Sequence, residues 1–121
     1  MELRFSDINI TNVMKQIMAM FLSAQGKHEE ARAQISSDVI RTAEVDADIA
    51  YSVASVFALE GMQAEAFEWL ARAIALGNEN QPCFENDPNW ASLRSDPRFQ
   101  DLMAKVRASH LAAESRSTQA N

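Results

Sequence analysis

The chain has 121 residues, of which 47% are hydrophobic and 23% charged, a composition typical of one ordinary globular domain. Its net charge of −6 argues against nucleic acid as a partner, because phosphate binding requires a cationic surface. The single cysteine, Cys83, excludes an internal disulfide framework, so we expect a reduced, cytoplasmic setting. The apolar run at residues 17–24 is too short to span a membrane and lacks the basic start of a signal peptide, so we expect no membrane partner.

The first predicted helix shows the i, i+3, i+4, i+7, i+8 spacing of an amphipathic helix. The residues at this spacing are Met14, Ile17, Met18, Phe21 and Leu22. Thr11 or Asn12 is a plausible cap, although Asp7 could begin the helix earlier, and Gly26 ends it. A second helix is predicted from about His28 to Arg41.

Asp46 is predicted to cap a third helix, which ends near Gly61, and a fourth helix ends at Gly77. Residues 77–85 have no periodic pattern and are predicted to form a loop. No segment shows a competing strand pattern, so the predicted fold class is all-α.

Two Asp-Pro pairs mark the C-terminal third of the chain. Asp87-Pro88 and Asp96-Pro97 each place a capping carboxylate before a proline, which is favoured in the first helical turn. The first pair predicts a short helical turn and the second a longer helix. Their apolar residues are Trp90, Leu93, Phe99, Leu102, Met103 and Val106. Residues 114–121 have no apolar anchor and are predicted to be a disordered tail.

The residues around Gly26 recur 35 positions later around Gly61. The corresponding pairs are Ala19 and Ala54, Leu22 and Phe57, Gly26 and Gly61, Ala31 and Ala66, and Ile35 and Leu70. Two copies of a helix, a tight turn and a second helix at this period indicate a stacked helical-hairpin array. Such arrays usually bind other proteins and rarely catalyse reactions.

On these residues, the segment from about Thr11 to Gly77 resembles the tetratricopeptide repeat (TPR) family, whose unit is a helix–turn–helix of about 34 residues. The second copy matches better, since Leu22 replaces the preferred aromatic residue in the first, and the usual Trp and closing Pro are absent from both. Residues 87–99 resemble the segment that closes many bacterial arrays of this family.

The resemblance implies an all-α, right-handed helical-hairpin (TPR-like) solenoid of two repeats with C-terminal capping helices. The implied boundaries are a single domain over residues 1–113, with repeats at about 11–43 and 46–77 and a cap at about 87–113.

In this family the first helix of each hairpin lines a concave groove that receives a peptide or helix. The resemblance implies that the groove residues here are Val13, Gln16, Ile17, Met20, Asp48, Tyr51, Ser52 and Ser55. Tyr51 would anchor the partner, or it packs against the capping helix and binds nothing. The acidic residues around Asp48 would attract a basic partner, or they form an ordinary solvated face. Family members that clamp a chaperone's C-terminal carboxylate use Lys and Asn, which are absent at these sites, so this subtype is disfavoured.

A homo-oligomerisation module is the alternative function, because large apolar residues crowd the first helix and no preceding hairpin covers its outer side. These residues are Met14, Met18, Met20, Phe21 and Leu22. Phe5, Ile8 and Ile10 could instead fold back over them, as could a hairpin of a longer array. The sequence leaves these alternatives open.

No catalytic constellation is apparent in the sequence. His28 and His110 are the only histidines, and neither has a partner at metal-ligand spacing. Cys83 has no evident base nearby. We therefore expect no enzymatic activity, no metal and no cofactor.

Overall fold

The structure is a computed structural model that describes the backbone of residues 5–119 and the side chains of residues 14–115. The described backbone contains helices and turns but no strand, which confirms the all-α prediction. Two compact units divide the chain, Met1–Asn78 (unit 1) and Glu79–Asn121 (unit 2), and each is described by itself. The single domain over 1–113 stays a prediction.

Unit 1 is built around its central helix, α4. The helices of this unit are α1 (Phe5–Ala24), α2 (His28–Ala33), α3 (Ser37–Ala43), α4 (Ala47–Leu59) and α5 (Gln63–Ala75). α4 packs against α1, α3 and α5, and α1 also packs against α2 and α3. Asp46 caps α4 as predicted, since its Oδ1 accepts hydrogen bonds from the amides of Asp48 (2.9 Å) and Ile49 (3.1 Å).

Gly26 and Gly61 end α1 and α4 with the same turn. Their φ angles are +78° and +73°, in the left-handed region that glycine adopts without a steric penalty. In both turns, the amide of the residue after the glycine donates to the carbonyl oxygen five positions back, at 2.9 Å. This is the hydrogen bond of a Schellman motif. The 35-residue sequence repeat is therefore also a repeat of turn geometry.

The small residues of the repeat are fully enclosed. Ala19 and Ala54 in the first helices, and Ala31 and Ala66 after the turns, are each 0% exposed. Alanine lets the helices approach closely, and a larger side chain at any of these positions would overpack the interior.

The second helix predicted for residues 28–41 is instead two helices, α2 and α3. Ser36 between them has extended backbone angles (φ −77°, ψ 169°), and its Oγ accepts a hydrogen bond from the Val39 amide at 3.4 Å. Serine favours the N-cap position because its side chain satisfies an amide that the helix leaves unpaired. The prediction of one continuous helix was wrong because this cap competes with helix continuation.

Unit 2 contains α6 (Gln81–Asn86), a short 3-10 helix (Pro88–Trp90) and α7 (Pro97–Gln119). The loop predicted up to residue 85 is wrong from Gln81 onward, because Asn80 caps α6 by accepting a hydrogen bond from the Cys83 amide at 3.2 Å.

Both Asp-Pro predictions are confirmed. The Oδ1 atoms of Asp87 and Asp96 accept hydrogen bonds from the amides of Asn89 and Arg98, each at 2.9 Å. The predicted tail begins after Ala113, whereas α7 continues to Gln119.

Each unit holds one of the two tryptophans. Trp90 in unit 2 is 0% exposed, and its ring centroid lies 6.0 Å from that of Phe99. Trp69 in unit 1 is 7% exposed, and the Arg72 guanidinium lies over its ring, 4.6 Å from the centroid. The apolar residues predicted for the C-terminal segment are buried, while the role of that segment as a cap stays a prediction.

Candidate partner-binding surface

The outer face of α1 carries large apolar side chains that lie in solvent. Gln16, Ala19 and Ser23 face the interior, with 2%, 0% and 7% of their surface exposed. At about 3.6 residues per turn, positions 14, 17, 18 and 21 share the opposite face of the helix. We call this face the α1 stripe, which consists of Met14, Ile17, Met18 and Phe21, exposed by between 46% and 58%. The amphipathic spacing is as predicted, but its apolar side faces outward.

The positions equivalent to the α1 stripe in the second copy are mostly buried. Counting 35 residues on, they lie on α4 and are Ile49, Ser52, Val53 and Val56. Ile49 is 3% exposed, and Val53 and Val56 are 0% exposed. α4 packs against helices of the hairpin that precedes it, α1 and α3, in addition to α5. The same repeat positions therefore form a packing face in α4 and an exposed face in α1.

On α4, the predicted groove residues become more buried along the helix. Asp48 is exposed, Tyr51 and Ser52 are half-buried, and Ser55 is 1% exposed. The Ser55 hydroxyl donates to the backbone carbonyl of Tyr51 at 3.0 Å, which occupies its donor within the helix. The accessible part of this stretch is therefore its N-terminal end.

On α1, the predicted groove residues fall on different faces. Ile17 belongs to the exposed stripe, Met20 is half-buried at its edge, and Gln16 is buried. The side chain of Val13 lies outside the described residues. Gln16 and Ser55 are enclosed, and the groove formed by the eight residues together stays a prediction.

A buried carboxylate joins the two hairpins of unit 1. The Glu60 side chain, at the C-terminal end of α4, is 0% exposed. Its Oε2 lies 2.6 Å from the Ser23 Oγ, which donates to it, and 2.5 Å from the His28 Nδ1. Its Oε1 accepts a hydrogen bond from Arg32 at 3.3 Å. Donors from α1 and α2 thus converge on the end of α4.

Burial and hydrogen bonding act in opposite directions on the pKa of Glu60. Burial raises the pKa, whereas the Ser23 hydrogen bond, the His28 hydrogen bond and charge, and the Arg32 charge lower it. The lowering effects together prevail, so the pKa lies below its ordinary value of 4.5. Glu60 is therefore ionised near neutral pH and acts as the acceptor at the centre of this cluster.

The cluster contains a serine, a histidine and a glutamate but is not arranged for nucleophilic catalysis. In a catalytic triad the hydroxyl bonds to the imidazole, which removes its proton, and the carboxylate holds the other ring nitrogen. Here Ser23 and His28 both contact the same Glu60 oxygen. The hydroxyl proton is directed at a carboxylate, so this geometry stabilises the hairpin contact and does not activate Ser23.

The sequence between Thr42 and Ala71 has six acidic residues and no Lys or Arg, but the structure does not leave all six available to a partner. Glu60 is buried within the cluster, and Glu68 accepts a hydrogen bond from Arg72 at 3.0 Å. Asp46 is occupied in capping α4. Glu44 and Asp48 are both exposed, and Asp48 lies three and four residues before Tyr51 and Ser52, on the same face of α4.

The described fold and surface define an all-helical protein with an exposed apolar helix face. No protein-family model, no curated protein and no solved structure matches the chain. Within the described residues, no helix has the length and apolar character needed to cross a membrane, and no group of three His, Cys, Asp or Glu residues is placed to hold a metal ion.

Proposed function

We propose that the chain is a non-catalytic protein–protein interaction module and that a helix of a partner polypeptide docks along the α1 stripe. The observation that carries this proposal is the contrast between α1 and α4. Ile49, Val53 and Val56 are buried at the repeat positions that Met14, Met18 and Phe21 occupy on α1. A face that is packed in one copy of the repeat is suited to packing in the other.

The size and chemistry of the stripe agree with this role. Four large side chains exposed by about half present an apolar area on the order of 400 Å², comparable to the largest apolar patch of a typical monomeric protein, which is often functional. Two of the four are methionines, whose flexible, polarisable side chains adapt to a partner surface. Lys15 is the one charged residue in positions 14–24, so a partner would be chosen mainly by shape and apolar contact.

A TPR-like, right-handed helical array is part of this proposal. The repeated glycine turn and the enclosed alanines support it, because a helical-hairpin repeat needs both. The break between α2 and α3 departs from the two-helix unit of that family, so the first copy is an altered repeat.

Covalent capture tests the proposed surface. A photoreactive phenylalanine derivative in place of Phe21 is expected to cross-link a partner through one of its helices, whereas the same group at Ala104, an exposed position on α7, is not. The captured protein is then purified and its affinity measured for wild type, Phe21→Glu and the charge-matched control Ala104→Glu. We expect affinity to fall about tenfold or more with Phe21→Glu alone, as for a central apolar contact. Equal affinity for all three chains would contradict the proposal.

The exposed end of α4 is a second candidate surface, favoured by the grouping of Asp48 with the half-buried Tyr51 and Ser52. A basic peptide would meet a carboxylate beside an aromatic ring and a hydroxyl. Asp48→Lys is then expected to slow association at low salt, and the difference should shrink as salt is added. Glu30→Lys, the same change at an exposed site on α2, is the control, and an equal effect of both would remove Asp48 from the surface.

A further inference from the structure

We infer that the partner covers the α1 stripe with a helical hairpin, two helices joined by a turn, whose faces toward the stripe carry short side chains. This inference rests on the proposed function, since it concerns the same surface and states what kind of partner that surface takes. The partner is a different protein, because two copies of a chain with a net charge of −6 repel each other.

The second copy of the repeat shows which elements cover this face. α1 packs against α2 and α3, which follow it in the first copy, and α4 packs in the same way against α5. In addition, α4 packs against α1 and α3, which both belong to the copy before it. Among the described residues, α1 has no counterpart of these two preceding helices. The face that is buried on α4 and exposed on α1 is therefore the face that a preceding pair of helices covers.

The width of the α1 stripe also favours two helices over one. At about 100° per residue, Ile17 and Met18 lie on opposite sides of the line that joins Met14 to Phe21, so the stripe spans roughly 100° of the helix circumference. A helix that packs against one partner helix, as in a two-stranded coiled coil, uses a narrower seam with two apolar positions in every seven. The broader α1 stripe is typical of a helix that lies against two neighbours.

The helices that cover α4 indicate the chemistry of the covering face. Apart from Gln16, the described side chains that are buried on α1 and α3 are short, and they are Ala19, Ser23, Val39 and Ala43. The α1 stripe is bulkier than its counterpart on α4, since Phe21 stands where α4 has Val56, and Ile17 stands where it has Ser52. Because packed interiors tolerate neither voids nor overlap, we expect the partner to place short side chains such as alanine, glycine or serine opposite these residues.

Two cross-linking positions distinguish a hairpin from a single helix. A photoreactive phenylalanine derivative replaces Ile17 in one protein and Met18 in another, at the two edges of the stripe. Both side chains are about half exposed, so the helix content by circular dichroism should not change. We expect both proteins to form adducts with the same partner, and peptide mapping should place the two adducts on two helices separated by a turn. The same group at Ala104, an exposed position on α7, should form neither adduct.

The purified partner then tests the predicted short side chains. Replacing the partner residue at either adduct position by leucine should lower its affinity for wild type about tenfold or more, because a larger side chain overfills the contact. Leucine at a solvent-exposed position on the same partner helix is the matched control and should leave the affinity unchanged.

The possible failures separate this inference from the proposed function. Adducts from both positions on a single helix would overturn the hairpin and leave the proposed function in place. Long side chains at the mapped positions, or an affinity unchanged by leucine there, would overturn the predicted chemistry of the covering face. Adducts that join only copies of this chain would overturn the different protein as partner. No adduct above the level seen at Ala104 would overturn both the inference and the proposed function.

Discussion

The Nδ1 atom of His28 lies 2.5 Å from the Oε2 atom of Glu60, although His28 begins α2 and Glu60 follows α4. The Glu60 side chain is fully enclosed, whereas that of His28 is 53% exposed. The contact therefore joins a solvent-accessible donor of the first hairpin to a buried acceptor at the end of α4. Its contribution to stability can be measured by changing the acceptor alone.

We expect Glu60→Gln to lower the free energy of unfolding by about 2 kcal/mol, because an enclosed carboxylate with three donors is replaced by a neutral amide. Glu68→Gln is the matched control, since Glu68 is exposed and forms an ion pair with Arg72 on the surface of α5. Its cost should stay within about 0.5 kcal/mol. Urea denaturation gives both values. Equal costs for the two variants would show that the cluster adds nothing to stability.

The lowered pKa of Glu60 predicts how this contribution depends on pH. The folded protein holds the Glu60 proton less tightly than the unfolded chain, so the stabilisation is present above the ordinary pKa of 4.5 and is lost as the pH falls through the folded-state value. The difference in unfolding free energy between wild type and Glu60→Gln should therefore shrink from about pH 6 toward about pH 3.

Hydrogen bonds from the side chain and backbone of Arg98 also lower the pKa of Asp96. Because Asp96 is present in both wild type and Glu60→Gln, its contribution to the pH dependence cancels in the difference between them. A difference that grows on acidification would contradict the lowered pKa of Glu60. Denaturation curves recorded at several pH values provide the measurement.

The equivalence of the two glycine turns can be tested by substitution. Gly61→Ala should cost about 1–2 kcal/mol, the penalty for a left-handed backbone with a side chain. Apart from the glycine itself and its two chain neighbours, no described residue has an atom within 4 Å of the added Cβ, so the cost is conformational. Gly26→Ala should cost nearly the same, and Gly61→Asn less, because asparagine tolerates this region better. Thermal denaturation of the three variants checks this, and a full cost at one turn with none at the other would contradict the equivalence.

Gln16 is expected to be a site where an apolar replacement stabilises the protein. Its side chain is buried, and neither amide atom has a hydrogen-bond partner among the described residues. Gln16→Met keeps the length of the side chain, removes the unpaired amide and should raise the free energy of unfolding by about 1–2 kcal/mol. Gln25→Met, in the exposed turn after α1, should change it little. A loss of stability in Gln16→Met would show that the amide forms hydrogen bonds.

The features that were predictable from the sequence are those determined by neighbouring residues. Asp46 caps the helix that follows it, and Gly61 provides the conformation that ends the helix before it, so a few residues suffice for each prediction. The break at Ser36 was equally local, but the helical spacing across it concealed the serine cap.

The candidate surface required the three-dimensional structure. The spacing of Met14, Ile17 and Phe21 defines a helix face but not which neighbour covers it, so burial could not be inferred. The Glu60 cluster could not be predicted from the sequence because its donors lie 28 to 37 residues before Glu60 in the chain. The sequence repeat gives no hint of it either, since Ala58 stands in the second copy at the position of Ser23 in the first.

The placement of one buried indole in each unit supplies the chain with two built-in spectroscopic reporters. Fluorescence from a Trp69→Phe protein arises from Trp90 and follows unit 2, and fluorescence from a Trp90→Phe protein follows unit 1. Each unit's melting can thus be observed separately within the intact chain. Coincident transitions would make residues 1–113 one cooperative folding domain, and separate transitions would make the two units independent.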